Sequence, residues 1–361
     1  MKVTIKQIAN IVGVSRGTVD RALHNRGEIS PQVREQILSV AASLGYRPNT
    51  AGKNLSIRKQ HLKFGFILPT RFRGFWYDVH IGIDAIADEL SEYGVTVFRR
   101  EFHKYTASEQ IALIDELIEV GISGLAIVPI NEPSVQEKLN TLVNQGLPII
   151  IVNTEAESVV PLCSISADYE FSGRTAAGIL GLIAQQKHTE LLIFTGTKTM
   201  LSHIKRITGF LQEIDRLHLD CHLIGIEKLY DKAEISDEEV SFQTAKSMLK
   251  KHPETTAVFT AAGAVHAVAK AIQECGMAHQ ITHLSFDLND TTLPALKDGS
   301  LTAVIGQESF KQGYQPIKLL FDYVVNGIQP PSRRIILQNE IFIQQNAIGD
   351  SSYVEQDNPI L

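Results

Sequence analysis

Arg16 and Arg21 lie on a short amphipathic stretch near the start of the chain, and Gly17 and Asp20 lie between them. Helical spacing turns the apolar residues of this stretch inward and leaves these four positions outside. A guanidinium group offers two parallel donors that match O6 and N7 of guanine. Glycine leaves room for close approach, and the aspartate can accept from a cytosine amine or pair with a neighbouring arginine. The pattern predicts side chains that read DNA bases.

Three short helices are predicted around these residues. Thr4 and Ser15 are good N-cap residues, and Ser30 followed by Pro31 is a typical start for a third helix. A helix, a short turn containing glycine and a second helix form the helix-turn-helix arrangement, whose second helix enters the major groove. We predict a small all-α helix-turn-helix domain over residues 1–48.

Charge is distributed unequally along the chain. Residues 1–60 contain ten Lys/Arg and three acidic residues, whereas the remainder contains 24 basic and 37 acidic residues. A basic head on an acidic body indicates nucleic acid as a partner of the head alone. The alternative for the head is a basic face that only contacts solvent.

Behind the head, apolar strands alternate with amphipathic helices, which is typical of parallel sheets covered by helices on both faces. The 361 residues exceed what one core usually serves, so we predict two α/β lobes. The predicted strands are Phe64–Leu68, Val95–Phe98, Leu125–Val128, Ile149–Val152, Leu191–Phe194, Ala257–Phe259 and Ile281–Phe286. The predicted helices include Gln110–Val120, Glu170–Ile183, Ser202–Ile214 and Val240–Lys250.

Polar and aromatic residues follow the predicted strands. Ligands of parallel sheets bind beyond the carboxyl ends of the strands, and polar side chains beside an aromatic ring suit a sugar-type ligand. Trp76, the single tryptophan, lies between Phe75 and Tyr77 after the first strand, although core packing is the alternative for these two neighbours. The other candidates at strand ends include Asn131, Asn153 and Glu155.

Motifs for catalysis and metal binding are missing from the sequence. It contains no G-x-G-x-x-G after the first strand, no phosphate-loop spacing, no H-E-x-x-H and no C-x-x-C. The run Gly13–Gly17 has G-x-S-x-G spacing, but it lies between two predicted helices and not at the strand-to-helix turn that a nucleophilic serine needs. We therefore predict a protein that is not an enzyme and holds no metal or cofactor. Three widely spaced cysteines favour a reducing compartment, and no signal peptide or membrane-spanning run is present, so we expect a cytoplasmic protein without a membrane partner.

The run V-T-I-x-x-I-A-x-x-V-G-V-S-x-x-T-V-x-R, followed by S-P-x-V-R-E-x-I and L-G-Y-x-P-N, resembles the LacI/GalR family of bacterial transcriptional repressors. The match covers residues 3–58. The resemblance implies a sequence-specific DNA-binding regulator that acts as a homodimer on a palindromic operator. Asp20 replaces the serine usual in the family, and Gly17 is small where family members often carry a reading side chain. Both departures bear on the operator sequence.

Residues 49–61 resemble the hinge helix and linker of the family. There a leucine inserts into the central minor groove, which kinks the duplex, and Leu55 matches this position. A plain flexible linker is the alternative. The predicted DNA-binding residues are Thr4, Ser15, Arg16, Gly17, Thr18, Asp20, Arg21, Asn25, Asn49, Lys53 and Leu55.

Residues 62–345 resemble the type I periplasmic sugar-binding proteins, which implies two parallel Rossmann-like sheets and three crossovers between lobes. We place the crossings near Val160–Cys163, Leu288–Thr302 and Asn326–Pro331. The predicted N-lobe comprises about 62–162 and 303–326, the C-lobe about 163–288 and 331–345, and the tail 346–361.

The resemblance also implies residues that bind the ligand. Arg206 precedes a Gly-aromatic pair, as does the family arginine that holds ligand hydroxyls, and Asp287 follows an aromatic residue at a strand end. Asp168 opens a helix in a similar context, although a simple N-cap is the alternative. Gln307 follows a crossover strand and is expected near the cleft.

One departure concerns the strand that ends at Thr260. Many family members continue with Asn-Asp, whereas this chain continues with Ala261-Ala262-Gly263, so Thr260 is a possible substitute. We expect a small-molecule effector, a sugar or sugar derivative. The alternatives are a periplasmic-type sugar-binding protein without a regulatory role and a regulator that senses a partner protein.

Overall fold

The structure is a computed structural model that describes residues 3–23, 29–46, 57–70, 74–154, 156, 158–185, 187–196, 201–230 and 238–347. The predictions for Asn25, Asn49, Lys53, Leu55 and Glu155 lie outside these residues. Among the helices of the described residues, none is both long and apolar enough to cross a membrane.

The N-terminal domain is built from three helices, which are α1 Ile5–Val12, α2 Arg16–Leu23 and α3 Pro31–Ser43. Each helix contributes one side chain with no exposed surface to a common core: Ile8, Val19 and Ile37. So small a core depends on each of these contacts, which is why the apolar spacing of the sequence predicted the arrangement.

The predicted N-caps of the head are confirmed. The Ser15 hydroxyl accepts from the Thr18 amide at 3.0 Å and opens α2. The Thr4 hydroxyl caps α1, and Ser30 caps α3 with Pro31 in the first turn. These caps satisfy amides that would otherwise lack a partner within their helices.

Two α/β lobes follow the head. Their strands are β1 Lys63–Pro69, β2 Thr96–Phe102, β3 Gly124–Ile127, β4 Ile149–Val152, β5 Cys163–Ala167, β6 Thr189–Thr195, β7 Cys221–Lys228, β8 Ala257–Thr260, β9 Thr282–Phe286, β10 Ala303–Gly306, β11 Arg334–Leu337 and β12 Glu340–Phe342. Their helices are α4 Phe75–Ser91, α5 Ala107–Val120, α6 Pro133–Asn144, α7 Tyr169–Ala184, α8 Leu201–Arg216, α9 Glu238–Lys251, α10 Val265–Glu274, α11 Leu293–Asp298 and α12 Ser309–Asn326.

Each lobe contains a six-stranded sheet, in the order β11-β5-β4-β3-β1-β2 in the first lobe and β12-β10-β9-β8-β6-β7 in the second. All pairs are parallel except that of β10 with the edge strand β12. In the first lobe, α4 and α12 contribute to one core and α5 and α6 to the other. In the second lobe, α7 and α8 cover one face, and α9 and α10 cover the other. The predicted fold class is confirmed.

The predicted crossings between the lobes are displaced. Cys163–Ala167 pairs with β4 in the first sheet, and Ala303–Gly306 pairs with β9 in the second. The chain therefore changes lobes at Asp168, at residues 307–308 and at residues 338–339. The prediction placed these two strands in the wrong lobes, and also Arg334–Leu337, which pairs with β5 in the first sheet. The sequence of a short strand does not show which sheet it joins, because hydrogen-bond pairing decides this.

Two pairs of glycines bring helices into backbone contact. A Cβ on Gly173 of α7 would lie 2.0 Å from the Arg206 carbonyl oxygen of α8, and one on Gly209 of α8 would lie 2.0 Å from the Glu170 carbonyl oxygen. Gly82 of α4 and Gly313 of α12 make the equivalent close approach in the first lobe. In each lobe, a helix that starts at a crossing is thereby locked to a neighbouring helix.

We predict that Gly173→Ala lowers the free energy of unfolding by about 1–3 kcal/mol, because the methyl group overlaps a backbone atom and must separate α7 from α8. Gly178→Ala on the same helix is the matched control, since no atom outside its own helix turn lies within 4 Å of the place that the added methyl group would take. This control should be neutral or stabilising by up to about 1 kcal/mol. Urea denaturation of both variants measures the difference, and equal stabilities would contradict the packing argument.

Candidate functional site

The first turn of α2 presents an open surface. Arg16 and Gly17 are exposed, and a Cβ on Gly17 would meet only the Ser15 hydroxyl oxygen, at 3.7 Å. The Arg21 Nε donates to the Gly17 carbonyl at 3.2 Å, so this side chain folds back along the helix. Asp20 is half-buried and lies near Tyr46, which follows α3. The burial of Tyr46, and then the negative charge of Asp20, raise the pKa of Tyr46. Arg16 is thus the arginine of α2 most open to a groove.

Three predicted DNA-binding residues also hold the local structure of the head. The Thr4 amide donates to the Gln7 side-chain oxygen at 2.8 Å in a reciprocal capping box. The Thr18 and Ser15 hydroxyl oxygens lie 2.9 Å apart beside the N-terminus of α2. These small polar groups therefore fix the end of α2 that would face DNA.

The segment behind the head is attached to the first lobe. Ile57 is buried in the core that includes α4, with 3% of its surface exposed. The Arg58 guanidinium donates to the Glu92 carbonyl through Nε at 3.1 Å and Nη2 at 2.8 Å. The C-terminal end of the linker is therefore fixed to the first lobe.

A cleft of about 500 Å³ lies beyond the carboxyl ends of the strands and is lined by both lobes. That volume suits a small molecule. Six of the residues predicted to bind a ligand lie together in it: Phe75, Trp76, Asn153, Arg206, Asp287 and Gln307.

Asn153 and Asp287 occupy equivalent positions in the two lobes. Asn153 follows β4, and its backbone N–H donates to the Ile165 carbonyl at 2.9 Å. Asp287 follows β9, and its backbone N–H donates to the Ile305 carbonyl at 3.0 Å. Both residues have φ of 65°, a left-handed conformation that Asn and Asp tolerate better than most residues. The backbone turn at each strand end thus positions a polar side chain at the cleft.

Arg206 is the buried cation of the cleft. Its guanidinium carbon lies 3.8 Å from the centre of the Phe286 ring, and Nη1 donates to the Ala261 carbonyl at 3.1 Å. Burial lowers the pKa of Arg206 and raises that of Asp287, and the attraction between the two opposite charges opposes both shifts. The pair is a fixed donor beside a fixed acceptor, as recognition of hydroxyl groups requires.

A polar chain joins the two lobes behind the cleft. The side-chain Nδ2 of Asn153 donates to Oε1 of Gln312 at 3.0 Å. The side-chain Nε2 of Gln312 donates to the backbone carbonyl of Gln307 at 3.0 Å. The Gln307 amide in turn donates to the Asp287 carboxylate. Because Gln307 belongs to the second crossing, the chain links both strand ends to the segment about which the lobes would move.

Comparison with known proteins identifies two regions. Residues 4–49 match the profile of bacterial regulatory proteins of the lacI family, and residues 64–328 match the periplasmic binding protein domain. The chain belongs to the lacI family. It is a DNA-binding transcriptional regulator and not an enzyme.

Relatives of similar length are named as regulators. The chain is 22% identical over 335 residues to catabolite control protein A of Priestia megaterium, covering 90% of this chain and 93% of that protein. It is 26% identical over 309 residues to the HTH-type transcriptional regulator AglR of Rhizobium meliloti, with 82% and 80% covered. The structure also resembles GanP, a glucose-galactose binding protein from Geobacillus stearothermophilus, with a TM-score of 0.67 at 19% identity over 79% of this chain and 98% of GanP.

Three predicted ligand residues of this lacI-family chain lie outside the cleft lining. Asp168 caps α7 by accepting from the Phe171 amide at 3.0 Å, which is the alternative that its sequence context left open. Asn131 is exposed and accepts from Gln136 at 2.7 Å. Tyr77 is 38% exposed on α4, whereas its neighbours Phe75 and Trp76 form an edge-to-face pair in the cleft with ring centres 4.9 Å apart.

Several cleft residues were not predicted. His203 precedes Arg206 by three residues on α8, so helical spacing alone places both on one face. Tyr105 follows β2, which was predicted too short, and Tyr230 follows β7, which was not predicted. The strand-end rule would have found both tyrosines from the complete strands. The unpredicted lining residues also include Tyr169, Ser202, Glu238, His266, Asn289, Thr291 and Thr292.

Thr260 does not replace the polar pair that many family members carry after this strand. Its hydroxyl lies 2.9 Å from the Nε2 of His283, and both side chains are fully buried in the sheet. The His283 Nδ1 lies 3.0 Å from the Ser300 carbonyl, so Nδ1 donates and Nε2 accepts. The hydroxyl is therefore committed to the core, away from the cleft.

Burial makes His283 a source of pH-dependent stability. Burial lowers its pKa to about 4, so the unfolded chain, in which histidine has a pKa near 6.5, binds a proton first as the pH falls. The stabilisation is complete above about pH 6.5 and is lost towards pH 4. Native protein should lose about 2 kcal/mol from this residue between pH 7.5 and 5.

His283→Gln removes the titrating group while it retains a donor and an acceptor. Urea denaturation at pH 7.5 and 5 should therefore show a smaller loss of stability in the variant, by about 2 kcal/mol. Equal losses in the two proteins would show that His283 is not the source of the pH dependence.

Proposed function

We propose that this protein is a homodimeric transcriptional repressor whose affinity for a palindromic operator is controlled by a sugar-like small molecule bound between its two lobes. The observation that carries the proposal is the presence, on one chain, of a helix-turn-helix head and of a two-lobed cleft lined by a buried arginine and a half-buried aspartate. We place the protein in the cytoplasm, where such a head meets DNA.

Recognition of DNA follows from the geometry of α2. The exposed first turn with Arg16 enters the major groove, and Gly17 allows close approach of the backbone. A head of this size covers one half-site, so two protomers related by a dyad read a palindrome. By resemblance to the family, the hinge with Asn49, Lys53 and Leu55 contacts the central minor groove.

Recognition of the ligand follows from the contents of the cleft. Arg206 offers donors, Asp287 offers acceptors, and Phe75 and Trp76 offer aromatic surface to C–H groups. The likeness to GanP, a glucose-galactose binding protein, supports a ligand of the sugar type. These buried polar groups favour a small molecule over the alternative effector, a partner protein. The head argues against the other alternative, a sugar-binding protein without a regulatory role.

Control of DNA binding requires that the ligand bind one arrangement of the lobes better than another. The polar chain through Gln307 and Gln312 crosses between the lobes, so a ligand that contacts both sides changes the relative energy of open and closed arrangements. Ile57 and Arg58 anchor the linker to the first lobe. A shift of that lobe therefore changes the separation of the two linkers of a dimer and the affinity for the operator.

The DNA part of the proposal predicts that Arg16→Ala lowers discrimination between operator and unrelated DNA by about 1–3 kcal/mol, because a bidentate base contact is lost. Lys6→Ala, which removes an exposed charge from α1, is the matched control. It should weaken binding to both DNAs alike. Fluorescence anisotropy with the native promoter fragment and a scrambled fragment measures both variants. Discrimination that survives Arg16→Ala would remove Arg16 from the base-reading surface.

The ligand part predicts that Arg206→Lys abolishes the change in operator affinity produced by a sugar ligand and leaves ligand-free binding near normal. Lysine preserves the charge beside Asp287 but lacks the planar donors and the stacking on Phe286. Arg216→Ala on the same helix, where Arg216 pairs with Glu213 at the surface, is the control. Operator titrations with and without ligand distinguish the variants, and a native response from Arg206→Lys would refute this role for Arg206.

A further inference from the structure

His203 is a buried histidine on the cleft wall that sequence reasoning did not predict. Its side chain lines the cleft beside Arg206, and 5% of its surface is exposed. A Cβ on Gly196 would lie 2.8 Å from the imidazole Cε1 and 2.5 Å from the Tyr230 hydroxyl oxygen. Gly196, directly after β6, thus leaves the space that the His203 imidazole and the Tyr230 phenol occupy at the cleft.

Three residues that line this cleft have a buried polar atom for which the described residues provide no hydrogen-bond partner. The atoms are Nδ1 of His203, Nε of Arg206 and Oε1 of Gln307. Buried polar groups are nearly always paired in folded proteins, because leaving one unpaired costs free energy. Their concentration in a single cleft indicates groups that a bound molecule satisfies.

The three atoms need different partners. Arginine Nε only donates, glutamine Oε1 only accepts, and imidazole Nδ1 does either according to its tautomer. A hydroxyl group both donates and accepts, so hydroxyls of one molecule satisfy all three. A carboxylate or a phosphate dianion only accepts. Placed against Oε1 of Gln307, such a group would leave that oxygen unpaired, and it would bring negative charge towards Asp287.

The imidazole acts here without charge. Burial, and then the neighbouring Arg206, lower the pKa of His203 to about 3. At neutral pH the ring therefore supplies a hydrogen bond and no attraction for an anion. The charge of Asp287 attracts Arg206 and offsets part of the attraction that Arg206 exerts on an anion.

We infer that His203 is a ligand-contacting, specificity-determining residue of this cleft, and that the ligand is an uncharged polyhydroxy compound and not a sugar acid or a sugar phosphate. The inference rests on the proposed function in taking the cleft as the effector site, and it adds the class of effector and one residue that selects it.

The first experiment compares probes that share a carbon skeleton, with the full-length protein. The sets are D-glucose, D-glucuronate and D-glucose 6-phosphate; D-galactose, D-galacturonate and D-galactose 6-phosphate; and myo-inositol with its 1-phosphate. Thermal unfolding finds the ligands, and calorimetry gives their Kd values. We expect a neutral compound to bind at least about tenfold more tightly than its charged counterparts. A charged compound that binds more tightly, or no binding by any neutral compound at millimolar concentration, would overturn the ligand class.

The second experiment tests His203 itself. His203→Leu removes the hydrogen-bonding atoms at similar volume and should weaken binding of the neutral ligand at least about tenfold. His203→Asn retains an uncharged amide and should bind within about threefold of native protein, with an altered ratio of the Kd values for D-glucose and D-galactose. His222→Leu is the control on an exposed histidine outside the cleft and should leave binding unchanged.

Native affinity in His203→Leu would overturn the role of His203. If that variant fails to fold, an unchanged epimer ratio in His203→Asn overturns it instead, because a purely structural residue does not set that ratio.

Operator titrations separate this inference from the proposed function. A neutral ligand that binds through His203 without changing operator affinity contradicts the proposed function and supports the inference. A sugar acid or sugar phosphate that binds most tightly and changes operator affinity supports the proposed function and overturns the inference.

Discussion

The electrostatic attraction between buried Arg206 and half-buried Asp287 is the interaction on which the cleft depends. Two charges removed from water are costly unless each is compensated by its partner and by hydrogen bonds. Here the compensation comes from the Phe286 ring, the Ala261 carbonyl and the Gln307 amide, which belong to different segments of the chain. One of these segments is a crossing between lobes. The contacts that compensate the two charges therefore connect the cleft to the second crossing between the lobes.

Rigid lobes make that junction useful. The backbone contacts at Gly173 and Gly209, and at Gly82 and Gly313, leave no space for the paired helices to slide independently. The crossings at Asp168, 307–308 and 338–339 join the two halves. Arg58 also fixes the C-terminal end of the linker to the first lobe. The lobe that contributes one wall of the cleft therefore also holds the segment that leads to the head.

Much of the fold was predictable because its signals are local. A cap at Thr4 or Ser15 depends on contacts three residues away, and a fully buried parallel strand such as Ile149–Val152 appears as an unbroken apolar run. The strand-end rule found Phe75, Trp76, Asn153 and Asp287 for a related reason: in a parallel sheet the carboxyl ends of the strands lie at one edge, whatever the exact strand order. Arg206 came from the family resemblance. Residues that follow unpredicted strands, such as Tyr230, were missed.

Other features depend on which segments pair. Cys163–Ala167 and Ala303–Gly306 are both short strands that are mostly buried, and only their hydrogen bonds to β4 and β9 assign them to opposite lobes. Thr260 ends a strand, as the sequence indicates, but the position of His283 on the next strand turns its hydroxyl to the core. The order of residues was sufficient to identify the family and the helix-turn-helix head, and to predict that Arg206 and Asp287 lie at the cleft. The tertiary structure decided the crossings and the place of His203, because a side chain's surroundings come from segments far away in the chain.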